Sequence, residues 1–139
     1  MTADAIARLM SDLNTHPFRE QFLVSRTNGP DMSRLEADAV RRGWLEGPRE
    51  VLGGLLVEVG VTTVHFPFFA LNEDELVNAA QQVQDFLLEE FTCSWPECPR
   101  HTEPLWPELE SLYALWQCRR DRTIRMKIGL LPQGEVTNS

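Results

Sequence analysis

Long apolar runs are missing from this 139-residue chain. The longest, Val64 to Leu71, is interrupted by His65 and Pro67, and it falls far short of the roughly 20 residues that span a bilayer. Cysteine is scarce as well, and its count of three is odd. A secreted domain of this size normally carries an even set paired as disulfides. The chain does not open with a basic stretch, an apolar run and a small-residue cleavage site, so a reducing cytoplasm is the expected compartment. Nine prolines and only eight glycines exclude both collagen and a continuous coiled coil.

What is present describes an ordinary folded domain. Apolar residues make up 42% and charged residues 24%, which excludes wholesale disorder. The formal net charge is −8, and it is unevenly placed. Residues 1–92 hold seven Lys/Arg against fifteen Asp/Glu, whereas residues 93–139 hold six of each. Such an acidic chain repels a phosphate backbone, so general nucleic-acid binding is not expected. The basic run Arg119, Arg120, Arg122, Arg125 and Lys127 reads as a solvated strand face that leaves room for a local anion contact.

Periodicity predicts an α+β fold. Ile6, Leu9, Met10 and Leu13 mark one face of a helix over residues 3–14, closed by Pro17. Phe18, Phe22 and Leu23 continue an apolar element of undefined type. Residues 28–31 read as a turn. Ser33 and Glu36 form a capping-box pattern for a short helix that ends at Arg42-Gly43. Two runs, Leu52 to Val61 and Thr62 to Phe69, predict a hairpin turning near Gly60. Its inner face draws on Leu55, Val57, Val59, Val64, Phe66 and Phe68, and His65 reads as a hydrogen-bonded core or surface residue. A long helix over 73–91 follows, capped by Asn72, with Glu73, Asp74 and Glu75 in its first turn. Its stripe of Leu76, Ala80, Val83 and Leu87 is expected to lie on the hairpin. The expected organisation is an α+β core over 1–92, a zinc-ribbon-like hairpin over 93–131 and a tail over 132–139.

Residues 93–131 contain all three cysteines and three of the four tryptophans. Cys98 and His101 are separated by two residues, as are Cys118 and Asp121, and sixteen residues lie between the pairs. A two-residue spacing lets a tight turn aim both side chains at one ion, and two such turns complete a tetrahedron. The expected metal ligands are therefore Cys98, His101, Cys118 and Asp121, with zinc as the ion. Two alternatives follow from the same residues. Cys93 replaces Asp121 as fourth ligand, or the knuckle is metal-free and Asp121 is a turn former whose carboxylate binds backbone N–H groups. Trp95, Trp106 and Trp116 either close a small ribbon core or anchor a partner.

The segments Asp74-Glu75-Leu76, Gln84-Asp85-Phe86, Trp95-Pro96-Glu97-Cys98-Pro99-Arg100-His101, Leu115-Trp116-Gln117-Cys118 and Ile128-Gly129 resemble a group of small uncharacterised bacterial proteins. In that group an acidic helix precedes a Trp-Pro-x-Cys-Pro-x-His knuckle, followed by a Trp-x-Cys strand and a closing strand. The resemblance covers about residues 73–131 and implies the ribbon architecture, with no activity attached. Its second knuckle usually reads Cys-Pro-x-Asp, whereas Arg119 stands here in place of the proline.

No phosphate-cradling glycine loop, dinucleotide fingerprint or Ser-His-Asp arrangement can be read from the sequence. The expected function is that of a small protein-interaction or scaffold protein without catalysis, contacting a protein partner and no membrane. One alternative is an acidic inhibitor or immunity-type protein that masks a basic partner. The other is a hydrolase-like enzyme with an open three-ligand zinc and Glu97 or Glu103 as base.

Overall fold

The computed structural model describes residues 4–28 and 52–131. The capping box at Ser33 and Glu36, most of the turn at 28–31 and the tail over 132–139 lie outside the described residues. The architecture is α+β: the described residues form two α-helices and two three-stranded antiparallel sheets. Helix α1 spans Ala5–Leu13. A single 3-10 turn at Arg19–Gln21 resolves the undefined element and leads into β1, Leu23–Asn28. Strands β2 (Gly53–Val59) and β3 (Thr62–Phe68) form the expected hairpin. Gly60 at its turn has φ +60°, a backbone conformation open to a residue without a Cβ. Helix α2 is Glu73–Phe91. Strands β4 (Trp106–Glu110), β5 (Tyr113–Gln117) and β6 (Arg125–Lys127) complete the second sheet in sequential order.

Local chemistry accounts for both helix starts. Asp4 caps α1 by accepting from Ile6 N and Ala7 N, and Asn72 caps α2 by accepting from Glu75 N at 2.8 Å. Each cap satisfies amides that have no partner within the helix. Thr92 ends α2 in the left-handed conformation, and its N–H donates to Leu88 O.

The core runs through both sheets. Leu76, Ala80, Val83 and Leu87 are all buried, as predicted, alongside Leu55, Val57, Phe66 and Phe68 of the hairpin. Phe86 meets Phe66 at a ring separation of 5.9 Å. The same cluster includes Trp95, Leu105, Ala114, Trp116 and Ile128, so α2 is shared between the two sheets. Helix α1 closes the core with Ile6, Leu9 and Leu13, all essentially inaccessible.

Polar bonds from distant residues position the second sheet. Asp12 is fully buried. Its carboxylate accepts from Trp116 Nε1 at 2.7 Å, Gly129 N at 2.6 Å and Leu131 N at 3.1 Å. Burial pushes the Asp12 carboxyl above its ordinary pKa, and these three donors oppose that shift. Arg8 donates from Nε to Ile128 O at 2.8 Å and from Nη1 to Glu73 at 2.6 Å, while Glu73 also accepts from Ala114 N at 2.8 Å. Gly129 has φ +108°, and a Cβ there would stand 2.9 Å from the Cβ of Arg8. Buried Gln84 on α2 donates to Trp95 O at 3.0 Å and Leu105 O at 2.6 Å.

Candidate metal centre

The register of the second sheet builds the site. Trp106 at the start of β4 pairs with Gln117 at the end of β5. The turn preceding β4 and the loop following β5 therefore lie side by side. The first is a small hairpin: Leu105 N donates to Pro96 O at 2.6 Å, Cys98 N donates to Glu103 O at 2.9 Å, and Glu97 bridges Pro104. The second is closed by Cys118 N to Ile124 O at 2.9 Å and Ile124 N to Asp121 O at 3.0 Å.

From these two turns Cys98, His101 and Cys118 converge, with their ligand atoms all within 4.8 Å of one another. They lie close enough to bind a metal ion. His101 Nδ1 is 3.3 Å from Cys98 Sγ and 3.4 Å from Cys118 Sγ. A ring nitrogen has one proton or one lone pair, so a hydrogen bond fully satisfies only one of these contacts. An ion at the centre satisfies both. Cys98 and Cys118 are buried, and His101 is half-buried.

The other two candidate ligands stand outside this group. Asp121 Oδ1 accepts from Thr123 N at 3.0 Å and Thr123 Oγ1 at 2.6 Å, and Oδ2 faces Arg100 at 3.8 Å. This is the turn-forming role that a short carboxylate plays next to its own backbone. The Thr123 hydrogen bonds hold its carboxyl below the usual carboxylate range, helped by Arg100 and His101. Cys93 lies against Ser94 O at 3.7 Å. It lines a cavity of about 460 Å³ together with Thr15, Pro17, Trp95, Glu97 and Leu131. None of Cys98, His101 and Cys118 lines that cavity.

The basic run is mostly paired. Arg119 lies 4.3 Å over the Trp106 ring and 3.7 Å from Glu108. Arg120 meets Glu103 at 3.0 Å, Arg125 meets Glu110 at 2.6 Å, and Lys127 sits 4.2 Å over Tyr113. Trp95 and Trp116 are buried edge to face at 5.4 Å and close the core, whereas Trp106 is partly exposed. His65 is exposed and lies 2.9 Å from Thr27 Oγ1.

Sequence reasoning missed Asp12, His16 and Gln84. His16 is fully buried, accepts from Phe18 N at 3.0 Å through Nδ1, and leaves Nε2 without a hydrogen-bond partner. The rings of Phe18, Phe22, Phe91 and Trp95 surround it, and this burial lowers its pKa to about 4. All three residues sit three positions after a buried stripe residue or three before one, which was the available signal.

No protein-family model, curated protein or solved structure matches this chain. Among the described residues no helix is long and apolar enough to cross a membrane.

Proposed function

We propose that this chain is a small interaction or scaffold protein of a reducing compartment, whose C-terminal ribbon is stapled by one zinc ion and performs no catalysis. The observation that carries this reading is the convergence of Cys98, His101 and Cys118 from two turns at one end of the second sheet. Two thiolates and an imidazole are the donor set that zinc prefers. With Zn–S near 2.3 Å and Zn–N near 2.0–2.1 Å, a tetrahedral ion sets its sulfur and nitrogen ligands about 3.6 Å apart. The separations here, 3.3 and 3.4 Å, need only a small expansion. A fourth ligand from Asp121 would come through Oδ2, the oxygen not bonded to Thr123, once it moves in from its place beside Arg100.

Both cysteines are buried and neither lines the cavity, which supports a structural ion over a catalytic one. The β4–β5 hairpin tip supports the interaction role. Ser111 and Leu112 both have positive φ, and Leu112 is 81% exposed beside the exposed Leu109 and Tyr113. Apolar side chains held out on a tight turn are suited to anchoring a partner.

One observation favours a second reading: Asp121 is occupied by Thr123, which leaves three protein ligands and an open position, the arrangement of a hydrolytic zinc with Glu97 or Glu103 as base. Asp121→Ala separates the two, because weakened zinc retention identifies a closed site and unchanged retention an open one. The interaction role is tested by capturing partners from native extract with the full chain at low and high salt. A partner kept at high salt and lost in Leu112→Ser supports the apolar tip. Capture that disappears with salt supports the acidic inhibitor reading.

A further inference from the structure

Cys98 and Cys118 are the whole sulfur complement of the candidate site. Their sulfurs are within 4.8 Å of each other, with His101 Nδ1 against both. A site with two thiolates differs from a four-thiolate one in its response to oxidation, because one two-electron event consumes every sulfur that holds the ion. We propose that the pair is a redox-operated release: a peroxide oxidises Cys98 and Cys118 to a disulfide, and the ion leaves. This rests on the zinc reading above.

The step balances. One ligated thiolate attacks the peroxide O–O bond, giving a sulfenic acid and one water as a proton is taken up. The second thiolate attacks that sulfur, the S–S bond forms, and the hydroxyl leaves as a second water with a further proton. Two thiolates, one hydrogen peroxide and two protons give one disulfide and two waters, and zinc departs with its charge unchanged. Both sulfurs must move toward a bond length of about 2.05 Å. The turns bearing them lie at the end of the sheet, among exposed residues such as Pro99, Arg100, Thr102, Arg119 and Arg120. His101 is the least enclosed of the three residues, and a small oxidant would reach the sulfurs past it.

The third cysteine is set apart. Cys93 is directed to Ser94 O and to the separate cavity. Burial and the neighbouring Glu97 push its thiol pKa up, which disfavours the thiolate that peroxide attacks. The fold also limits what oxidation does. Gln84 holds Trp95 and Leu105, and Asp12 holds Trp116, Gly129 and Leu131, with no bond to the ion. Release therefore reshapes the two knuckle turns while the ribbon stays docked.

The test uses the full chain reduced, loaded with zinc and freed of excess metal. Hydrogen peroxide is titrated in while released zinc, thiols under denaturing conditions and the circular dichroism spectrum are followed. The expected result is complete release at about one equivalent of peroxide, with free thiols falling from three to one. Peptide mapping should place the disulfide between Cys98 and Cys118, the spectrum should persist, and a dithiol with added zinc should restore the starting state. Cys93→Ser should release zinc in the same way. Retention of zinc at tenfold excess, release with the cysteines as sulfinic acids, or a disulfide that includes Cys93 overturns the proposal while leaving the zinc reading intact. Failure of the reduced protein to take up zinc at all overturns both.

Discussion

The two sheets share α2 and are fastened to the two described helices by different forces. The first, β1–β3, presents Leu55, Val57, Phe66 and Phe68 as a hydrocarbon face. Seven of its thirteen register pairs join strands adjacent in sequence around Gly60, and the other six join β1 to β2. The second, β4–β6, also buries Trp116 and Ala114, but its place is fixed by Asp12, Arg8, Glu73 and Gln84. Hydrocarbon burial is non-directional and tolerates small shifts. Buried polar bonds are directional, and removing one partner strands the others without water. A thin sheet fastened in this way is held in register by a few groups, and it brings two turns together closely enough for three ligand atoms to meet.

Asp12→Ala should break the contrast most severely. It strands Trp116 Nε1 and the amides of Gly129 and Leu131, at a cost of about 4 kcal/mol for several unsatisfied buried donors. Hydrogen exchange should accelerate in β5 and over 128–131 before it does in β2. Equal acceleration in both sheets would refute the separate fastening. Leu87→Ala follows at about 3 kcal/mol, the usual range for a buried leucine truncation, and it should loosen both sheets together. A melting point within a degree or two of the parent would contradict its burial.

His16 sharpens the comparison through pH. Its folded pKa of about 4 lies below the ordinary value of 6.5, so the unfolded chain takes up the proton first. Stability should fall as pH drops from 6.5 toward 4, by at most about 3 kcal/mol. In denaturant titrations across that window, His16→Phe should have a flatter pH slope than the parent. Equal slopes would show that the ring is not held neutral. The smallest effect belongs to the surface of the second sheet. Arg125→Ala removes a half-exposed pair with Glu110 and should cost less than about 1 kcal/mol by thermal melting.

Much of the first sheet and both helices was legible because their signals are local. The interval between Asn72 and Phe91 carries its own cap and stripe, and the β2–β3 hairpin carries its own turn. The polar fastening of α2 to the second sheet was not legible, because it runs through Gln84, a polar residue beside the apolar stripe. Asp12 was hidden for the same reason, since its partners lie more than a hundred residues away. Of the candidate site, spacing grouped Cys98, His101 and Cys118, and the fold brings their ligand atoms within 4.8 Å of one another. Spacing does not tell a carboxylate that ligates from one that closes its own turn, and Asp121 is bonded to Thr123 as a turn former. Cys93 was ambiguous in sequence because its five-residue distance from Cys98 permits either side of the ribbon, and the fold directs it toward the cavity.

The most direct test of the account is the zinc content of protein purified without chelator, compared among the parent, Cys118→Ser and Cys93→Ser. About one zinc per chain is expected in the parent and in Cys93→Ser. Cys118→Ser should lose the ion to a chelator that the parent withstands. A parent well below one zinc per chain after loading, or a Cys118→Ser variant that holds zinc as firmly as the parent, would contradict the assignment of Cys98, His101 and Cys118 as the metal centre.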